Sequence, residues 1–478
     1  MSKELVTYKL PKNFIMGAAS SSWQTEGWSG KKEGHDTYID LWYKSTPELW
    51  HENYGPKNAT DFFHRYKEDI QLMTECGIDA YRTSIDWSRF IKDFETGEVD
   101  EDGAMFYDRV IDECISKGIE PMICLEHFDT PKYMYDNYGA WGDKHVIDLY
   151  VKYAKKVFER YGKKVKQFFT FNEPIVVQTR SILDSLRYPF KQDTKLAMQW
   201  NFNKIVANAK AVEAYKELNL SGKIGIVINI EYAYPRSDAP HDVKAAHMYD
   251  LFYNRMFLDP AAKGEIDQEL FEVLEKHNCL FEYCTEELNT IKQNKCDNIG
   301  LNLYFPMRVK ARNSAWNPEV PFHPSYYFEP YELQGKRMNP YRGWEIFPKI
   351  MYDMAMRMKN EYGNIEWLIS ESGMGVANEV DYKDSKGMII DNYRIEYISE
   401  HLAWLLKAIE EGSNCQGYML WAFTDCVSPT NAFKNRYGLV EIDLNDNLNR
   451  HIKKSGHWFN DTRNNREFKF NSLNVDYR

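Results

Sequence analysis

Eight short β-rich runs, separated by longer stretches with the apolar period of a helix, constrain this chain more than any other feature. The runs are FIMGAAS (14 to 20), AYRTSIDW (80 to 87), EPMICLEH (120 to 127), QFFTFNEP (167 to 174), KIGIVINI (223 to 230), DNIGLNLYF (297 to 305), EWLISES (366 to 372) and CQGYMLWAF (415 to 423). Between them, DFFHRYKEDIQLMTEC repeats apolar residues at three- and four-residue spacing and stops at Gly77. Similar helical segments are predicted near 145 to 160, 196 to 218, 344 to 361 and 391 to 411. Strands that alternate with helices pair in parallel, and eight of them close into a (β/α)₈ TIM barrel, an α/β fold.

A barrel of this kind can occupy all 478 residues as a single domain, 1-478. No Pro/Ser-rich linker, low-complexity tract or strict repeat divides the chain. The stretch from about 306 to 343, rich in Pro, Tyr and charge, follows the sixth run and reads as a loop insertion over the catalytic face. The net charge of −11, spread without runs of one sign, disfavours nucleic acid and anionic membranes as partners. No stretch approaches the roughly 18 consecutive apolar residues of a membrane span. The start, MSKELVTYKLPKNF, lacks the apolar region of a signal peptide, so a cytoplasmic protein is expected. The eight cysteines show no metal-ligand spacing and read as reduced, mostly buried residues. Homo-oligomer formation is left open.

Active sites on this fold form at the C-terminal ends of the strands. There the runs carry Gln24 and Glu26, Arg82 and Asp86, Glu126 and His127, Asn172 and Glu173, Asn302 and Tyr304, Glu371, and Trp421 and Asp425. Each alone has an ordinary structural explanation. Together they suit a neutral polyhydroxylated ligand, whose apolar faces stack on rings and whose hydroxyls bond to amides and carboxylates. Glu173 and Glu371 end the fourth and seventh runs, which face each other across an eight-strand barrel. Glycosidic hydrolysis requires such a pair, one carboxyl protonating the leaving oxygen while the other acts at the anomeric carbon. Other barrel chemistries need a Schiff-base lysine, a metal cluster or a phosphate-cradling glycine loop after the last strands, and DCVSPTNAFKNRYG after the eighth run lacks that loop; no metal or organic cofactor is implied.

FIMGAASSSWQTEG, YRTSIDWSRF, LEHFDTP, TFNEP, IGLNLY, LISESG and GYMLWAFTDCVSP resemble the successive motifs of the family-one glycoside hydrolases, over about residues 10 to 460. The resemblance implies Glu173 of NEP as general acid/base and Glu371 of SESG as nucleophile of a retaining enzyme. Arg82 and Tyr304 would keep Glu371 ionised, and its charge would raise the pKa of Glu173. It further implies that Gln24, His127, Asn172 and Trp421 line the sugar subsite, with Asn302 in support and Trp344 beside the aglycone. Members acting on unphosphorylated glucosides usually carry Glu-Trp where this chain has Ser428 and Pro429. A carboxylate there would repel a 6-phosphate, whereas a serine hydroxyl can donate to it.

Ser428, Lys434 and Tyr437 thus resemble the phosphate grip of the phospho-glycosidase branch, although Asn435 stands where some members have Lys. Pro429 lacks the Trp often found in phospho-β-galactosidases, which favours a glucoside. The expected substrate is a 6-phosphorylated β-glucoside, such as cellobiose 6-phosphate or an aryl-β-glucoside 6-phosphate. The rivals are a 6-phospho-β-galactosidase, a β-glucosidase for unphosphorylated sugars, and a catalytically silent barrel that only binds sugar phosphates. Phe128 and Ser372 depart from the usual Trp and Asn, and the segment after NEP lacks the expected glycine-rich pattern.

Overall fold

A computed structural model describes residues 4 to 317 and 319 to 473. Eight parallel strands close the barrel: β1 (Ile15–Ala19), β2 (Ala80–Ser84), β3 (Glu120–Glu126), β4 (Gln167–Asn172), β5 (Lys223–Asn229), β6 (Asn298–Asn302), β7 (Glu366–Ser372) and β8 (Cys415–Trp421). Each pairs with its neighbours in chain order, and β8 closes on β1 with Gly417 opposite Ile15 and Trp421 opposite Ala19. All eight fall within the runs read from the sequence.

Outside them lie α1 (Phe62–Glu75), α2 (Glu101–Ser116), α3 (His145–Tyr161), α4 (Thr194–Glu217), α5 (Met256–Lys263), α6 (Ile350–Glu361), α7 (Asn392–Glu410) and α8 (Lys454–Asn465). Local chemistry sets several ends. The Asp100 and Asp193 carboxylates accept backbone N–H groups at the starts of α2 and α4. Gly77, with φ of 70°, lets the chain turn left-handed after α1.

Two differences from the sequence reading concern the insertion. The predicted helix over 344 to 361 begins only at Ile350, because Pro348 holds the residue before it out of helical conformation. Trp344–Glu345 instead forms a hairpin with Met338–Asn339. The expected loop from 306 to 343 also contains Met307–Lys310, which joins Ala233–Pro235 and Glu329–Pro330 in a three-stranded sheet outside the barrel.

The apolar interior divides in two. A large shell packs strands against helices, while Ala19, Ala80, Met122, Cys124, Phe169, Val227, Leu368, Met419 and Trp421 belong to a second cluster that fills the barrel. Gly17 makes room for Met419: a Cβ there would stand 2.2 Å from the Met419 sulfur and 2.8 Å from the Ala80 carbonyl oxygen. Seven cysteines are buried and Cys284 is exposed, all of them free. Among the described residues no helix is long and apolar enough to cross a membrane.

A buried ion network locks the loops after β7 and β8 to the outer helices. Lys453 pairs with Glu379 and, at 2.8 Å, with Asp425, while Arg394 of α7 pairs with Glu379 and Asp391. Lys453→Met would leave two carboxylates short of a buried cation, at a cost of about 3 to 5 kcal/mol. Its thermal denaturation midpoint is expected to fall by several degrees at neutral pH. The deficit should narrow at acidic pH, where Asp425 and Glu379 take up protons. An unchanged midpoint at neutral pH would contradict this assignment.

Candidate active site

The C-terminal rim of the barrel surrounds a cavity of about 460 Å³, in the size range of small-molecule sites. Gln24, His127, Asn172, Glu173, Asn302, Tyr304, Trp344, Glu371, Trp421, Ser428 and Tyr437 all line it. The backbone explains part of this convergence. Register breaks fall in β4 between Phe169 and Asn172, in β6 at Leu301/Asn302, and between β7 and β8 near Ser372. Such irregularities turn a strand end and re-aim its side chains. Asn302 then sits in register with Asn229 on one side and Glu371 on the other. Glu173 adopts φ of 47°, a conformation that costs a non-glycine residue about 1 to 3 kcal/mol and is held here by the surrounding packing.

Glu371 is 4% exposed and held from two sides. The Arg82 guanidinium is ion-paired with one carboxylate oxygen, and the Tyr304 hydroxyl donates to the other at 2.7 Å. Burial and the nearby carboxylates push the Tyr304 phenol well above its ordinary pKa, so it remains a donor. Asn302 Nδ2 donates to Glu173 at 2.9 Å and to Asn172 Oδ1 at 3.1 Å. Arg82 also donates to Asn172 Oδ1, at 3.2 Å, which leaves the Asn172 amide nitrogen facing His127 Nε2 at 3.2 Å. Ser370 donates to Asn302 Oδ1 at 2.6 Å and fixes that amide in turn.

The two glutamates are electrostatically unlike. Burial, and then the negative charge of Glu371, push Glu173 up to about 8, against the lowering effect of the Asn302 hydrogen bond. Glu173 therefore holds a proton at neutral pH. Burial and the Arg82 charge hold His127 well below its usual pKa, so the imidazole is neutral. Its ring lies 6.0 Å from that of Trp421, tilted by 26°. A protonated carboxyl, a cation-paired carboxylate, a neutral imidazole, amides and rings in one cavity can donate and accept a proton around an uncharged sugar.

Five of the strand-end residues named above lie outside the cavity lining. Arg82 acts from beneath, through Glu371 and Asn172. Glu26, Asp86, Glu126 and Asp425 are buried and engaged by Arg89 at 3.0 Å, Lys31 at 3.0 Å, Lys204 at 3.5 Å and Lys453 at 2.8 Å. Gln24 lines the cavity, with its amide also bonded to the Val427 carbonyl and the Ser21 hydroxyl, both at 2.7 Å. Lys434 is not brought to this cavity. It is exposed and lines a separate depression with His51, Glu52, Phe433 and Arg436. Arg436 is turned toward Asp425, at 3.6 Å.

Sequence reading passed over Asn229, Glu231, Arg180, Arg187 and Arg342, which also line the cavity. Asn229 had a signal, since it ends the fifth run. The arginines had none, because they arrive from the segments after β4 and β6, whose course is set by the fold.

A polar cavity with a buried and a half-buried glutamate at the ends of two non-adjacent strands of a parallel barrel defines a glycosidase-type site. The sequence profile of glycosyl hydrolase family 1 matches residues 6–468. The chain belongs to that family. It is 45% identical to the 6-phospho-beta-glucosidase GmuD of Bacillus subtilis, over 95% of this chain and 97% of that protein. A 6-phospho-beta-galactosidase of Clostridium acetobutylicum is 36% identical, over 94% of this chain and 95% of its own. The family 1 β-glucosidase of Thermotoga maritima superposes with a TM-score of 0.86 at 30% identity, covering 96% of this chain and 99% of that one.

If the charge of Glu371 helps to raise Glu173, neutralising it must let Glu173 ionise more easily. In Glu371→Gln the carboxyl of Glu173, followed by carbon NMR with labelled glutamate, is expected to titrate below the wild-type value of about 8. It should stay above the ordinary carboxylate range, since burial, the larger cause, is unchanged. An unshifted titration would show that the two carboxyls do not sense each other.

Proposed function

We propose that the protein is a retaining 6-phospho-β-glucosidase that acts in the cytoplasm, with residues 1-478 working as one catalytic domain. Ser428 carries this reading: it lines the sugar cavity, and its side-chain hydroxyl has no hydrogen-bond partner among the described residues. A phosphate with a charge of about −1.5 to −2 can accept from such a hydroxyl, and would be repelled by a carboxylate at that position. The 45% identity to a 6-phospho-beta-glucosidase supports the same substrate class. A sugar carrying that charge does not cross a bilayer unaided, which supports a cytoplasmic setting.

In the proposed reaction Glu173, protonated by virtue of its burial, delivers its proton to the glycosidic oxygen as the leaving group departs. Glu371 attacks the anomeric carbon and forms a glycosyl-enzyme. Glu173, now a carboxylate, takes a proton from the water that releases the sugar with retained configuration. Asn172 holds the 2-hydroxyl, Gln24 and His127 bind the remaining ring hydroxyls, Trp421 forms the floor, and Trp344 flanks the aglycone. No metal or cofactor takes part.

Four outcomes test this reading. Wild-type enzyme should cleave 4-nitrophenyl β-glucoside 6-phosphate with a far higher kcat/KM than either the unphosphorylated glucoside or the 6-phosphogalactoside. Comparable rates on all three would overturn the substrate assignment, and no turnover would favour a binding protein. Glu371→Ala should be inactive, with azide restoring a product of inverted configuration by NMR. Glu173→Gln should lose about 10²- to 10⁴-fold on poor leaving groups and much less on dinitrophenyl substrates. Ser428→Glu should lower kcat/KM for the phosphorylated glucoside by at least about tenfold through the lost charge-assisted hydrogen bond and added repulsion.

A further inference from the structure

We propose that Arg342, which enters the cavity from the insertion after β6, is the cation that grips the substrate's 6-phosphate in this protein, in place of a lysine from the Ser428–Tyr437 loop. This rests on the phospho-glucosidase reading above. A phosphate bound by Ser428 and Tyr437 alone would have two neutral donors and no counter-charge, a weak arrangement for a dianion. The loop's own cations do not supply one: Lys434 is exposed on a different depression, and Arg436 is committed to Asp425 and to the Ile442 carbonyl.

Arg342 lines the same cavity as Ser428 and Tyr437. Its guanidinium carbon lies 4.6 Å from the centroid of the Trp344 ring, a cation–π contact that fixes the plane of the group without using its N–H donors. Its Nε is buried without a hydrogen-bond partner, and among the described residues no carboxylate pairs with it. The positive charge reaches Tyr437, where it opposes the upward push of burial on the phenol. Arg342 is half-buried with its Nε buried and unpaired, so an anion in the cavity would complete it, and its planar fork matches phosphate better than an ammonium does.

Asn435 gives the arrangement a mechanical basis. Its amide nitrogen donates to the backbone carbonyl of Tyr341 at 3.3 Å, tying the Ser428–Tyr437 loop to the residue before Arg342. Asn339, at the other end of the same turn, donates to the Gly375 carbonyl at 2.9 Å. The position that could have carried a lysine thus holds an amide that anchors the loop bearing the arginine. The hairpin between Met338–Asn339 and Trp344–Glu345 sets the span between these anchors.

The experiment compares kcat/KM for 4-nitrophenyl β-glucoside 6-phosphate with that for 4-nitrophenyl β-glucoside, as a ratio for each protein. Arg342→Gln is expected to lower this ratio at least about tenfold, chiefly through KM, and to weaken competitive inhibition by glucose 6-phosphate in parallel. Arg342→Lys, which keeps the charge and loses the fork, should recover part of both. Lys434→Ala should keep the wild-type ratio. A folded Arg342→Gln with the wild-type ratio, or loss of the ratio in Lys434→Ala, would overturn the proposal while leaving the phospho-glucosidase reading intact. Should Arg342→Gln not fold, wild-type selectivity together with wild-type glucose 6-phosphate inhibition in Arg342→Met would also overturn it. A wild-type enzyme with no preference for the phosphorylated glucoside would overturn the substrate reading, and the proposal with it.

Discussion

The ion pair between Arg82 and Glu371 crosses the rim from β2 to β7, and most of the site is organised around it. Two buried charges of opposite sign cost several kcal/mol to desolvate, and they are tolerable only when further hydrogen bonds complete them. Tyr304 completes Glu371, and Asn172 with His127 faces Arg82. Asn302 carries the network on to Glu173, so the two carboxyls share one connected set of hydrogen bonds. One buried pair therefore sets the orientation of the two amides beside Glu173 and Glu371.

The wall of the cavity away from that pair is built differently. It comes from the segments after β4, β5 and β6, which bring Arg180, Arg187, Glu231 and Arg342 to the lining. Arg180 is paired with Asp184 at 3.1 Å, while Arg187 and Arg342 rest against the rings of Trp42 and Trp344. A side where cations are incompletely paired by protein carboxylates suits an anionic group, while the two glutamates are engaged by Arg82, Tyr304 and Asn302. Behind that wall, Arg394 donates to the Tyr437 carbonyl at 3.2 Å and ties the recognition loop to the buried network of Glu379, Asp391, Asp425 and Lys453.

The barrel was legible because its signal is local and repeated. Eight β-rich runs and their helical partners each show their own periodicity, and parallel closure leaves few other arrangements. Glu173 and Glu371 were legible for the same reason, as strand-end residues within NEP and SESG. Where the reading differed, a local rule was outweighed or missed: Pro348 delays α6 to Ile350, and Trp344–Glu345 finds a hairpin partner in Met338–Asn339. Glu26, Asp86, Glu126 and Asp425 looked equally suited to the cavity, yet each is engaged by a cation, and strand position alone does not reveal which carboxylates are paired.

The amino-acid sequence by itself determined the order of strands and helices, the single rim on which functional residues gather, and the two glutamates at opposite strand ends. All of these follow from periodicities and motifs a few residues long. Only the tertiary structure decided that Lys434 faces another depression, that Arg342 enters the sugar cavity, and that burial, more than the Glu371 charge, raises the pKa of Glu173. Those outcomes depend on burial and on distances between segments far apart in the chain. A side chain's charge state and direction are set by what surrounds it in space, which a linear sequence does not record.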